Sequence, residues 1–72
     1  MEKIPAYKKC YNKLKSDIDN NVYPIGSYLP TEDELGKMFS VSRTTVRHAI
    51  DLLVKDKRIK VKQGAGTQVI NP

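Results

Sequence analysis

A clear helix start opens the stretch TEDELGKMFSVSRTTVRHAI, residues 31–50. Thr31 can cap this helix, and Glu34 stands three residues later, which completes the pattern of a capping box. Glu32 and Asp33 add negative charge at the end of the helix where the dipole favours it. These signals predict a short helix whose apolar stripe consists of Leu35, Met38 and Phe39.

The second half of the stretch holds another helix start, but its first turn breaks the rule that the earlier one follows. Ser42 is a suitable cap, yet Arg43, Thr44 and Thr45 come after it. Arginine is unfavourable at the positive end of a helix dipole, and threonine is a mediocre helix former. Two helices joined by about three residues, the second beginning with hydrogen-bond donors, form the pattern of a helix-turn-helix. In that motif the first residues of the second helix meet base edges in the major groove.

The side chains at this second start have the chemistry that DNA recognition needs. Arginine can donate two parallel hydrogen bonds to O6 and N7 of guanine, and threonine can bond a phosphate or touch the methyl group of thymine. Arg47 lies one helical turn after Arg43, so both project from one face, while the other face is apolar, with Val46, Ala49, Ile50 and Leu53. The alternative is that the two arginines only form surface ion pairs with Asp51 or Glu34, which are common and contribute little stability. Of the two interpretations, we favour contact with DNA.

An amphipathic helix of about four turns precedes this stretch, because apolar residues recur at helical spacing: Tyr7, Tyr11, Leu14, Ile18 and Val22. Pro5 suits its first turn, and Asn20 and Asn21 mark its end. In the following segment, YPIGSYLP, Pro24 and Gly26 are expected at the second and fourth positions of a type I turn.

A β-hairpin is predicted in RIKVKQGAGTQVI, residues 58–70, because the apolar residues there alternate with period two. Lys60 and Lys62 share one face, and glycines leave a tip with almost no side chain. Such a tip can enter a minor groove or press its amides against phosphate, so the candidate DNA-binding residues of the hairpin are Lys60, Lys62, Gln63, Gly64, Ala65 and Gly66. The whole pattern predicts a mainly α chain with a small hairpin, which is a winged helix-turn-helix of three helices plus a wing.

The charge of the chain is unevenly distributed. The 72 residues carry a net charge of +5, and residues 37–72 hold eight basic residues with only Asp51 and Asp56 as acids. A polyanion is the natural partner of such a half, and a solvated lysine surface is the alternative. The chain has no apolar run of membrane-spanning length and no signal-peptide core, so we expect a cytoplasmic domain without a membrane partner.

Nothing in the sequence has the spacing of a catalytic or metal site, and we expect no enzyme activity, no cofactor and no metal. His48 is the only histidine, and Cys10, the only cysteine, lies far from it in sequence. Cys10 falls among the core-facing positions of the first helix, where it is expected to be a small buried hydrophobe.

The chain from about residue 7 to residue 70 resembles the DNA-binding domain of the GntR family of bacterial transcriptional regulators, and the stretch from Tyr23 to Ile70 carries the motifs. The family pattern "G..LP(S/T)E.EL", then "VSR.TVR.A...L", then "G.GT.V" is matched by GSYLPTEDEL, VSRTTVRHAIDLL and GAGTQV. The resemblance implies a winged helix-turn-helix that binds double-stranded DNA, at a palindromic operator, as a dimer. It also implies that Arg43, Thr44 and Arg47 contact operator bases and phosphates, and that Gln63 to Gly66 reach the minor groove.

The sequence departs from the family at several positions. Asp33 stands where some members place a basic DNA-contacting residue, so that contact is not carried over. Lys57 and Ser40 replace frequent glycines, and a left-handed lysine costs ~1 kcal/mol. Gln68 replaces a frequent aromatic residue, which predicts a less firmly packed wing.

We expect residues 1–72 to form a single winged-helix DNA-binding domain with an ordered core over residues 5–70. Family members usually add a C-terminal domain that binds a small-molecule effector and holds a homodimer together, and we expect that domain, of a ligand-sensing or an aminotransferase-like kind, to be absent here. A winged helix used for protein or RNA binding is the alternative function. Binding of single-stranded RNA needs exposed aromatic side chains, and only Tyr23 and Tyr28 are candidates for exposure.

Overall fold

The computed structural model describes residues 4–71, which form three helices followed by a two-stranded antiparallel hairpin. The elements are α1 (Ala6–Asp19), α2 (Glu32–Phe39), α3 (Arg43–Lys55), β1 (Ile59–Lys62) and β2 (Gly66–Val69). The predicted fold class is therefore confirmed.

α1 supplies one wall of the core. Pro5 is its N-cap, and its buried residues are Cys10, Leu14 and Ile18, so the expected burial of the cysteine is confirmed. Val22 is 59% exposed, contrary to the prediction that it belongs to the apolar stripe of this helix. The helical rhythm no longer applies there, because α1 ends at Asp19.

α2 begins as its sequence predicts and packs with a different face. Thr31 Oγ1 accepts a hydrogen bond from the Glu34 amide at 3.1 Å, and Glu34 Oε1 accepts one from the Thr31 amide at 3.0 Å. Met38, predicted in the apolar stripe, is 59% exposed. Successive residues turn by about 100°, so the buried side formed by Leu35, Gly36 and half-buried Phe39 is centred about 110° from Met38.

A single core joins α1, α2, α3 and the hairpin. α3 contributes the predicted stripe, and its far end leads directly into β1. The buried apolar residues, at most 6% exposed, are Cys10, Leu14, Ile18, Leu29, Leu35, Val46, Ala49, Ile50, Leu53, Ile59 and Val69. This core fixes α3 from behind and leaves its other face to solvent.

All three helices end in the same way, with a left-handed residue that is not glycine. These residues are Asn21 (φ 63°), Ser40 (φ 55°) and Lys57 (φ 61°). At each end the left-handed residue and its successor donate their amides back into the last helical turn, as in a Schellman motif. After α3, for example, the Lys57 amide donates to Val54 O at 2.9 Å and the Arg58 amide to Leu53 O at 3.1 Å. Lys57 therefore occupies the left-handed region in which lysine is strained.

In the hairpin, Ile59 pairs with Val69 and Lys62 pairs with Gly66. Residues 26–29 lie along the edge of β2 that does not face β1. The Gly26 and Leu29 amides donate to carbonyl oxygens of β2, each at 2.8 Å, and the Val69 amide donates to Ser27 O at 2.9 Å. The segment between α1 and α2 therefore acts as a short third strand, which the sequence pattern did not predict.

The turn before this segment differs from the predicted one. The Ser27 amide donates to Pro24 O, so Pro24 is the first residue of the turn rather than the second. Gly26 takes the third position with φ 92°, a feature of type II turns rather than type I. Its carbonyl accepts a hydrogen bond from Gln68 Nε2 at 3.0 Å. Gln68 thus ties the wing to this loop by a polar contact, at the position where the family often has an aromatic residue.

Candidate nucleic-acid interface

The N-terminal turn of α3 combines a satisfied cap with exposed donors. Ser42 Oγ accepts a hydrogen bond from the Thr45 amide at 3.2 Å and lies 3.0 Å from Thr45 Oγ1. Thr45 is half-buried, whereas Arg43 and Thr44 are exposed. Within the candidate set, Ser42 and Thr45 therefore build the helix start, and Arg43, Thr44 and Arg47 present their side chains to solvent.

Both arginines pair with the acidic first turn of α2. Arg43 Nε lies 2.7 Å from Asp33 Oδ1, and Arg47 donates two hydrogen bonds, of 3.2 Å and 3.1 Å, to the carboxylate oxygens of Glu32. The surface partners considered from the sequence, Asp51 and Glu34, are not the ones used. The hydrogen bond from Arg47 holds the pKa of Glu32 below its usual range.

These pairs remain open to water. The Arg43 and Arg47 side chains are 67% and 64% exposed, so neither guanidinium is packed inside the domain. Exposed ion pairs contribute roughly 0–1 kcal/mol, whereas a bidentate arginine–guanine contact gives about 1–3 kcal/mol of discrimination. These ion pairs are therefore too weak to prevent the two guanidinium groups from engaging a duplex.

An aromatic contact fixes the start of α1 against α3. The rings of Tyr7 and His48 are stacked, with centroids 3.9 Å apart and planes 8° from parallel. Tyr7 is half-buried, and His48 is exposed. Sequence reasoning missed this pair, because the two residues come from separate helices and neither belongs to a recognisable motif.

The wing lies beside α3 with its tip toward the start of α2. A cleft between them is lined by Thr31, Glu32, Ile50, Val61, Ala65 and Gly66, among others. Glu32 in this cleft is the partner of Arg47, so the structure brings the wing tip close to the exposed face of α3. Lys60 and Lys62 do not line the cleft; they alternate with Val61, so they lie on the outer face of the wing.

Glycine provides the geometry of the tip. Gly64 has φ 80° and Gly66 has φ 114°, and the Ala65 amide donates to Lys62 O at 3.1 Å. Gln63, Gly64, Ala65 and Gly66 are all exposed. Space is open around Gly64, since a Cβ there would meet nothing within 4 Å. The tip is thus a narrow, solvent-exposed loop.

Comparison with known proteins decides the family, because residues 6–69 match the family model described as bacterial regulatory proteins, gntR family. The chain belongs to the gntR family. It is similar to the Uxu operon regulator of Haemophilus influenzae, with 44% identity over 65 residues, 90% of this chain and 24% of that protein. It is also similar to the uncharacterized HTH-type transcriptional regulator YdfD of Bacillus subtilis, with 41% identity over 99% of this chain and 15% of that protein. The chain thus spans about a quarter or less of the length of these two relatives.

Solved structures share the fold along almost the whole chain. The DNA-binding domain of AraR in complex with operator ORR3 has a TM-score of 0.91 and 35% identity, and the match covers 94% of this chain and 82% of that one. The fold described above is that of a gntR-family winged-helix domain. Within residues 4–71, no helix is both long enough and apolar enough to cross a membrane.

Proposed function

We propose that this domain reads operator DNA for a bacterial transcriptional regulator, with α3 in the major groove and the wing at the minor groove. One observation carries the proposal: Arg43, Thr44 and Arg47 are exposed on one face of a helix whose opposite face is buried. A helix fixed in this way can present donors to base edges without a change in the core. The likeness to an AraR domain in complex with an operator supports the same reading.

The candidate residues take three roles in this proposal. Arg43, Thr44 and Arg47 meet bases and phosphates in the major groove, and Ser42 and Thr45 shape a helix start whose amides favour a phosphate. Lys60 and Lys62 contact phosphates from the outer face of the wing. The tip enters the minor groove through the exposed backbone of Gln63, Gly64, Ala65 and Gly66.

The regulator acts as a homodimer on a palindromic operator, and a further domain binds its small-molecule effector. Linked binding to two half-sites raises the effective affinity far above that of one domain, so this domain alone binds weakly. The role is regulatory and non-catalytic, and it is carried out in the cytoplasm.

Selection of bound duplexes from a random pool tests the proposal. The expected result is a palindrome with one recurring half-site. A pool that shows no enrichment, or a single-stranded RNA that competes as well as the selected duplex, would overturn it.

Substitutions then test the reading face on the selected operator. Arg43→Ala and Arg47→Ala are each expected to weaken binding by about 1–3 kcal/mol while thermal unfolding stays close to that of the wild type. Lys60→Ala is expected to weaken binding to all duplexes about equally and to reduce the salt slope by about one. Lys13→Ala, which removes an exposed cation from α1, is the matched control and should change neither quantity as much.

A further inference from the structure

The two arginines of the proposed reading face are held in different ways. Glu32 engages Arg47 through both Nε and Nη2, at 3.2 Å and 3.1 Å. Asp33 approaches Arg43 most closely through Nε, at 2.7 Å. No side-chain hydrogen bond within residues 4–71 occupies the two terminal amino groups of Arg43. Those groups form a fork that matches O6 and N7 of guanine.

The carboxylates also remove the net charge of this face. Arg43 and Arg47 contribute two positive charges, and Glu32 and Asp33 beside them contribute two negative charges. The net charge of +5 on the chain therefore comes from other surfaces. Asp33 is itself 63% exposed, so a phosphate that approaches Arg43 also meets a like charge.

We infer that Asp33 is a positioning residue that makes Arg43 a reader of guanine rather than a phosphate contact. The carboxylate pairs with the guanidinium from its Nε side, and no side-chain hydrogen bond of residues 4–71 engages the terminal fork. The carboxylate also disfavours the non-specific alternative, in which Arg43 turns to the DNA backbone. This inference rests on the proposed function and deepens it, because it assigns the origin of base preference at one position of the operator.

Asp33→Asn is the direct test, because the change is nearly isosteric and lies outside the Thr31–Glu34 capping box. Affinity is measured for the selected operator, for a scrambled duplex of equal length, and for operators with each base pair replaced in turn. We expect binding to the scrambled duplex to tighten about threefold to tenfold and its salt slope to steepen by about one, since Arg43 gains a phosphate. Arg43→Ala identifies the base pair that Arg43 reads, because the identity of that pair no longer affects its binding. At this base pair, Asp33→Asn should lower the preference for guanine about tenfold and leave the preferences at other positions unchanged.

Asp19→Asn is the matched control. This substitution makes the same change of charge and also releases an arginine, because Arg58 Nη1 lies 2.6 Å from Asp19 Oδ1. The Asp19–Arg58 pair lies near the C-terminal end of α3, whereas Arg43 lies at the N-terminal end. The guanine preference of Asp19→Asn should equal that of the wild type. An equal loss in Asp19→Asn would mean that net charge alone is responsible, and an unchanged preference in Asp33→Asn would mean that Asp33 does not position Arg43; either result overturns the inference.

The double variant Arg43→Ala with Asp33→Asn separates the two residues. If Asp33 acts through Arg43, its removal should not change base preference once Arg43 is gone. A further change of preference in the double variant would overturn the inference while leaving the proposed function intact. If selection with the wild type enriches no duplex, the proposed function itself is wrong.

Discussion

The left-handed residue after α3 predicts that Lys57→Gly stabilises the domain. Lys57 has φ 61°, a conformation that costs a non-glycine residue about 1–2 kcal/mol. Glycine removes that strain but gives the unfolded chain more freedom, which offsets about 0.4–1 kcal/mol. The difference between these ranges is about 0–1.6 kcal/mol, so we expect a net gain of about 0.8 kcal/mol, or a rise of about 3–6 °C in Tm for a domain of this size.

The contacts of Lys57 allow this change without other losses. Its amide donates to Val54 O at 2.9 Å, and its carbonyl oxygen accepts from Asn71 Nδ2 at 2.9 Å. Both are backbone groups of residue 57, which glycine retains, and the lysine side chain is exposed.

Thermal unfolding and urea titration of three variants form the assay. Asn21→Gly and Ser40→Gly make the equivalent change at the ends of α1 and α2, where φ is 63° and 55°. Asparagine tolerates the left-handed region better than lysine, so Asn21→Gly should gain least. If Lys57→Gly stabilises no more than Asn21→Gly, strain at the end of α3 is not what limits stability.

Two further predictions concern titration and thiol chemistry. The backbone amide of Thr31, followed by its side chain, holds the pKa of Glu34 below its ordinary value of 4.5. This contribution to stability is present above pH 4.5 and is lost as the pH falls through the folded-state pKa. Glu34→Gln should therefore flatten the pH dependence of the urea midpoint below pH 4.5, and an unchanged pH profile would contradict this. Burial raises the pKa of the Cys10 thiol, so iodoacetamide should alkylate it slowly in the folded domain and rapidly in urea. Equal rates in the two states would show that Cys10 is accessible.

Local signals in the sequence predicted the helix starts and the hairpin correctly. The Thr31–Glu34 capping box and the Ser42 cap are interactions between residues three apart, so their pattern is visible in the sequence itself. Gly64 and Gly66 are also a local signal, since both lie within the short connection from β1 to the start of β2. The stripe of α3 was also predicted correctly, because this helix is long enough for its period to be clear.

The errors came from contacts that a periodic pattern does not encode. Met38 was placed in the core because a helix of only eight residues does not define the centre of its buried side. The strand-like segment from residue 26 to residue 29 depends on hydrogen bonds to β2, about forty residues later in the chain. The partners of Arg43 and Arg47 come from α2, which the crossing of the two helices determines. The DNA contacts proposed for these arginines remain predictions.

Because both long edges of β2 are hydrogen-bonded, the base of the wing is clamped between β1 and the loop from Gly26 to Leu29. The clamp stops short of the tip, where Gln63, Gly64 and Ala65 make no strand pairs. Insertions or substitutions at these three residues should therefore leave the position of α3 unchanged. The length of the wing tip can therefore vary independently of the hydrogen-bonded base of the wing.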